Sequence, residues 1–121
     1  MSTPIGPYSP IIRSGEFLIT SGQLGITAGT DGSPALVEGG TGPQLLQALA
    51  NGKLLLESEG ASVTDIVKAT VFLTNMEEFS LVNEIWTSFF EGHRPARTAI
   101  GVVSLPMGAA IEVEFWATAP K

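Results

Sequence analysis

The sequence predicts an α+β two-layer sandwich in the order β-β-α-β-α-β-β, with two helices on one face of a four- or five-stranded mixed sheet. Three observations predict it. Two stretches carry apolar residues at helical spacing. Others alternate apolar and polar residues as half-buried strands do. Gly, Pro and Asn punctuate the junctions. With 121 residues, of which 44% are hydrophobic, the expectation is one domain spanning residues 1–121 with a single core.

Ile11–Arg13 and Phe17–Ser21 are short apolar runs around Ser14 and Gly15, which reads as a β-hairpin. Residues 25–42 are rich in Gly, Thr, Asp and Pro and read as a long loop, with a short strand at Ala35–Val37. From Pro43 to Glu59 the period becomes helical, with Thr41 as the N-cap. The expected buried stripe is Leu45, Leu46, Leu49, Lys53 and Leu56, the lysine snorkelling, and Gly60 is a natural stop.

Asp65–Thr74 is a strand, with Val67, Ala69, Val71 and Leu73 on one apolar face. Glu77–Glu91 is a second helix, with Phe79, Val82, Ile85, Trp86, Phe89 and Phe90 as its stripe and Gly92 closing it. Ala96–Leu105 and Ile111–Ala117 are the last strands. In the final one Ile111, Val113, Phe115 and Ala117 share one face, and Glu112, Glu114 and Trp116 share the other. The second face of the sheet is then left uncovered, with Phe72, Trp116, Ile100 and Val102 on it. A homo-oligomer closing that face is expected.

Composition removes several function classes. There is no cysteine, so neither disulfides nor a thiolate nucleophile. A single histidine, His93, with no cysteine leaves the usual zinc ligand sets unattainable; an all-carboxylate site stays open, though EF-hand spacing is lacking. The formal net charge of −6, from 6 basic and 12 acidic residues, argues against nucleic acid and anionic membrane surfaces as partners. No apolar stretch is long enough to cross a bilayer, and Met1 to Pro10 lacks the pattern of a secretory leader; a cytoplasmic location is the default.

Few residues are left to carry chemistry. Gly39-Gly40-Thr41-Gly42 leads into a helix but lacks P-loop and dinucleotide spacing, so it reads as a loop and helix cap. His93, in Gly92-His93-Arg94-Pro95, has no serine elbow to work with and reads as a loop residue. Glu112 and Glu114 are neighbours on one strand face, roughly 6.6–6.8 Å apart along it. That separation suits a glycosidase pair, although two carboxylates on a solvated strand are the commoner case. Trp116 on the same face suggests that at least one of them is partly buried. Arg97 opens an otherwise apolar strand. It either snorkels at the strand end or is held to grip a planar anion with its fork.

Five stretches then align the chain with a known family. They are Ile5-Gly6-Pro7-Tyr8-Ser9-Pro10; Ile19-Thr20-Ser21-Gly22-Gln23-Leu24-Gly25; residues 65–73; Phe79-Ser80-Leu81-Val82-Asn83; and Pro95-Ala96-Arg97-Thr98, with Leu105-Pro106 and Ile111-Glu112-Val113-Glu114 downstream. In this order and spacing the chain resembles the RidA/YjgF family over nearly its whole length. The resemblance implies a chorismate-mutase-like fold, a homotrimer with clefts between neighbouring subunits, and hydrolysis of 2-aminoacrylate-type enamines, through their imines, to 2-keto acids and ammonia without a cofactor. It implies that Arg97 grips the substrate carboxylate and that Glu112 positions water or handles protons. Tyr8, Ser21 and Asn83 would line the cleft, with Gly22 at a backbone contact. Many members carry a cysteine two residues after the arginine. Here it is Ala99, whose backbone carbonyl would serve to hold the water. A non-catalytic ligand-binding or chaperone-like trimer, a ribonuclease or translation inhibitor, and a sister deaminase acting on a larger substrate are the alternatives.

Overall fold

The computed structural model describes residues 5–121, so the first four residues of the segment read as lacking a leader lie outside the described residues. Strands β1 (Ile11–Ser14) and β2 (Phe17–Thr20) form the expected hairpin, turning at Gly15 with φ 58°. A glycine suits that left-handed position. After β3 (Gln23–Leu24), the stretch read as a long loop contains two short strands, β4 (Ile26–Ala28) and β5 (Pro34–Leu36), the second close to the expected Ala35–Val37. The last two pair into a minor hairpin. Helix α1 (Thr41–Ser58), β6 (Ile66–Leu73), α2 (Phe79–Phe90), β7 (Ala96–Gly101) and β8 (Ile111–Thr118) complete the chain.

The main sheet runs β1-β2-β8-β6-β7, with β3 also pairing β8. It is mixed: β6 and β7 are parallel, joined through α2, and the other pairs are antiparallel. Leu18, Ala69, Val71, Leu73, Ile111, Val113, Phe115 and Ala117 point from the sheet into one core, against Leu45, Leu49 and Leu56 of α1 and Val82, Trp86 and Phe90 of α2. On the opposite face Ile12, Phe17, Ile100 and Trp116 are each exposed by more than a third, so the expected uncovered apolar face is present.

Three sequence expectations need correction. The N-cap of α1 is Gly40, not Thr41, whose hydroxyl instead donates to Glu78 Oε1 at 2.8 Å. The buried stripe of α1 excludes Leu46 and Lys53 and includes Gln44, Ala48, Asn51, Gly52 and Leu55. Small and polar residues make the contact there. A Cβ on Gly52 would clash with the Phe115 ring, so the missing side chain is what lets helix and sheet approach. Asn51 is buried because its amide donates to the carbonyls of Leu24 and Ile26 at 3.2 and 2.9 Å. In β6, Val67 is exposed and Ile66 takes its place in the core. The pairing register slips by one between Ile66 and Lys68, a β-bulge that reverses the alternation before it. The stop at Gly60 is as expected. Gly60 N–H donates to Glu57 O and Ala61 N–H to Leu56 O, the Schellman pair.

Candidate functional site

Strand alternation separates the two residues expected to meet. Arg97 pairs in register with Ala69, a core residue, and so turns toward the helices. Glu112 pairs with Phe72 and lies opposite in sense to the core residues Ile111 and Val113. With β6 between their strands, and Phe115 rather than Glu112 level with Ala69, the two Cα atoms are roughly 14 Å apart, with side chains on opposite faces of the sheet. One chain therefore carries two separate clusters.

The first cluster surrounds Arg97. Its Nη2 donates to Asn83 Oδ1 on α2 at 2.9 Å. Its guanidinium carbon lies 5.4 Å from the centroid of the Phe79 ring and 5.2 Å from that of Trp86. Burial pushes its pKa down, and among the described residues no carboxylate counters that shift. Ala99 is two residues along β7 on the same side, partly buried against the core. Its methyl group packs like any core alanine, and its carbonyl belongs to the backbone whatever the side chain. Phe79 and Trp86 were read from the sequence only as members of a core stripe. Their spacing of four and three from Asn83 was the available signal.

The second cluster surrounds Glu112. Four residue steps separate Ile19 from Gln23, while three separate their partners Trp116 and Val113, so the strand bulges at Ser21–Gly22. The Thr20 hydroxyl repairs the ladder there by accepting from the Phe115 N–H at 3.0 Å. The bulge places Gly22 against the glutamate: a Cβ on Gly22 would lie 2.7 Å from Glu112 Cδ and from Oε2. Ser21 Oγ donates to the Ser9 carbonyl at 2.6 Å, which ties down the segment bearing Tyr8. The Tyr8 ring folds over Gly6 and stays about half exposed. Burial, and secondarily the Glu114 charge, raises the Glu112 pKa. The sequence reading of at least one partly buried carboxylate on this face thus agrees with the structure, where Glu112 and Glu114 are both partly buried.

The remaining candidates are structural. The His93 ring nitrogen Nε2 bonds the Ile66 carbonyl at 2.7 Å, pinning the loop after α2 to the start of β6. Gly39 and Gly40 adopt φ of 109° and 82° and enter α1 as a turn. Among the described residues no group of three or more His, Cys, Asp or Glu is placed to hold a metal ion, and no helix is long and apolar enough to cross a membrane.

The chain has known relatives. A family model described as Endoribonuclease L-PSP matches residues 1–119. A mouse protein named 2-iminobutanoate/2-iminopropanoate deaminase is 39% identical over 110 residues, covering 91% of this chain and 79% of its own. The crystal structure of RidA from an Antarctic Psychrobacter superposes with a TM-score of 0.87 at 33% identity, over 96% of this chain and 91% of that one. Escherichia coli TdcF with bound serine superposes with a TM-score of 0.86 at 32% identity, over 97% and 91%. A family match over nearly the full length, together with a shared fold at these identities, means that the chain belongs to the RidA/YjgF family.

Proposed function

We propose that this protein is an imine deaminase whose site forms where two copies meet, one supplying Arg97, Asn83 and Ala99 and the other supplying Tyr8, Ser21, Gly22 and Glu112. The observation that carries the reading is the state of Arg97. Asn83 engages one N–H of the guanidinium, aromatic rings flank it, and among the described residues no carboxylate offsets its desolvation. A partly desolvated cation so held suits a ligand carboxylate bound in the two-pronged manner. The apolar open face supplies the reason for a second copy, since Ile12, Phe17, Ile100 and Trp116 would leave water on assembly. A homotrimer satisfies that need with three equivalent clefts.

The substrate in this reading is a small 2-imino acid, the tautomer of a 2-aminoacrylate- or 2-aminocrotonate-type enamine. Arg97 fixes its carboxylate. That places the C=N carbon against a water held by the Ala99 carbonyl and Glu112 of the neighbouring copy. The water oxygen bonds to the carbon as Glu112 takes its proton. The proton passes to nitrogen; the C–N bond then breaks as the new hydroxyl gives its own proton to Glu112 and becomes the C=O, so ammonia leaves and a 2-keto acid remains. A protonated imine is already electrophilic, so positioning and proton transfer suffice, and no cofactor is called for. The raised pKa of Glu112 moves its proton affinity toward neutral pH, where a group that both takes and returns a proton works best. The deaminase name of the mouse relative and the serine bound to TdcF, an amino acid with the same carboxylate handle, support the reading. A ribonuclease, the activity in the family model's description, is disfavoured by the net charge of −6.

The test is keto-acid release with a pyridoxal-phosphate-dependent dehydratase supplying 2-iminobutyrate or 2-iminopropionate. The wild-type protein accelerates release, Arg97→Ala loses nearly all acceleration, and Arg97→Lys retains little. Equal rates with and without wild-type protein would refute the assignment.

A further inference from the structure

Phe79, Asn83 and Trp86 occupy positions i, i+4 and i+7 of α2, so one helix face presents two aromatic rings and an amide to β7. All three meet the Arg97 guanidinium. Core packing accounts for Trp86, which is 5% exposed and stacks 4.9 Å from Phe90. It does not account for Phe79, which starts the helix, is only partly buried and still covers the guanidinium.

The geometry points to an aromatic brace: Phe79 and Trp86 are positioning residues that hold the plane of the Arg97 guanidinium, so that its fork meets the ligand carboxylate in one orientation. The inference rests on the carboxylate-clamp reading of Arg97. A bare arginine side chain has four rotatable bonds and binds an anion from many angles. Here Asn83 Oδ1 fixes one edge of the guanidinium, and the two rings restrict rotation about its last bonds. Trp86 is locked by the core and transmits that rigidity to the cation. Phe79 covers the cation from the start of α2 and excludes water. Neither ring exchanges a proton or touches the C=N bond, so the brace acts through Arg97 alone. The rings also favour the charged guanidinium electrostatically.

The test compares wild type, Phe79→Leu and Phe79→Tyr. Phe79→Leu keeps bulk and apolarity but removes the ring face. It should lower kcat/KM for imine hydrolysis about five- to tenfold, the value of one cation–π contact at a partly exposed site, with an unchanged melting temperature. Phe79→Tyr keeps the ring and should retain activity near wild type. In protein labelled with nitrogen-15, the Arg97 Nη resonances should be separate in wild type and Phe79→Tyr, reporting hindered rotation, and should merge in Phe79→Leu. Wild-type kcat/KM and unmerged resonances in Phe79→Leu would overturn the brace. If instead the wild type hydrolyses no imine, the deaminase reading fails, while the Arg97 resonances still decide whether the rings hold the guanidinium.

Discussion

Gly22→Ala adds one methyl group at the point where the candidate carboxylate packs on the backbone. The new Cβ would sit 2.7 Å from both Glu112 Cδ and Oε2, and ordinary contact begins at 3.4 Å. Something must give by at least 0.3 Å (3.0 minus 2.7), and by 0.7 Å (3.4 minus 2.7) to restore ordinary contact. Gly22 is fixed by the pairing of β3 with β8 just beyond it, so the glutamate side chain is the softer partner. Displacements of about 1 Å in a reacting group cost on the order of a hundredfold in rate. The expected outcome in the keto-acid release assay is therefore a fall in kcat of roughly 30- to 100-fold. KM should change little, because Arg97 and Asn83 belong to the other cluster. Since Gly22 has no positive φ and the clash is with a side chain, thermal unfolding should shift by only a few degrees. A Gly22→Ala protein with full kcat would show that the carboxylate needs no defined position, and would refute the role assigned to Glu112.

Two further outcomes follow from the same coordinates. Gly52→Ala places a methyl group into the Phe115 ring between α1 and the sheet, so it should destabilise the protein by about 1–3 kcal/mol or more in denaturant titration; an unchanged midpoint would mean that the helix rides higher on the sheet. Glu112→Gln should abolish turnover. It should also change the pH profile of stability: a carboxyl whose folded pKa is raised contributes stability that is complete below its unfolded pKa and is lost as pH rises through its folded pKa. Wild type should therefore lose stability relative to Glu112→Gln as pH climbs through the acidic range toward neutral. Parallel profiles would show that the side chain is not desolvated.

Much of this fold is legible in period and punctuation. The hairpin around Gly15, both helices, the Gly60 stop and the apolar faces of β6 and β8 all follow from spacing. The failures share a cause. A β-bulge leaves no periodic signature, so neither the Val67 reversal nor the kink at Ser21–Gly22 could be read. The α1 stripe was misjudged because Gln44, Ala48, Asn51 and Gly52 pack by hydrogen bonding or by being small, which a count of large apolar residues overlooks. The parity of Arg97 was legible. Alternation already put Ile100 on the open face with Trp116, so Arg97 had to point the other way. What spacing cannot supply is the consequence for the proposed function: Arg97 and Glu112 lie on opposite faces of one chain, so in that reading its expected partner Glu112 comes from another chain.

That consequence is open to a mixing experiment. Arg97→Ala and Glu112→Gln proteins, each inactive alone, are unfolded together in equal amounts and allowed to reassemble. If each site takes its arginine from one subunit and its glutamate from the next, a site is intact when an Arg97-bearing subunit faces a Glu112-bearing one. That holds for about a quarter of sites in a random mixture. Keto-acid release near 25% of reassembled wild type, about that one quarter, is the predicted result. Activity no higher than that of either variant alone would contradict a site shared between chains.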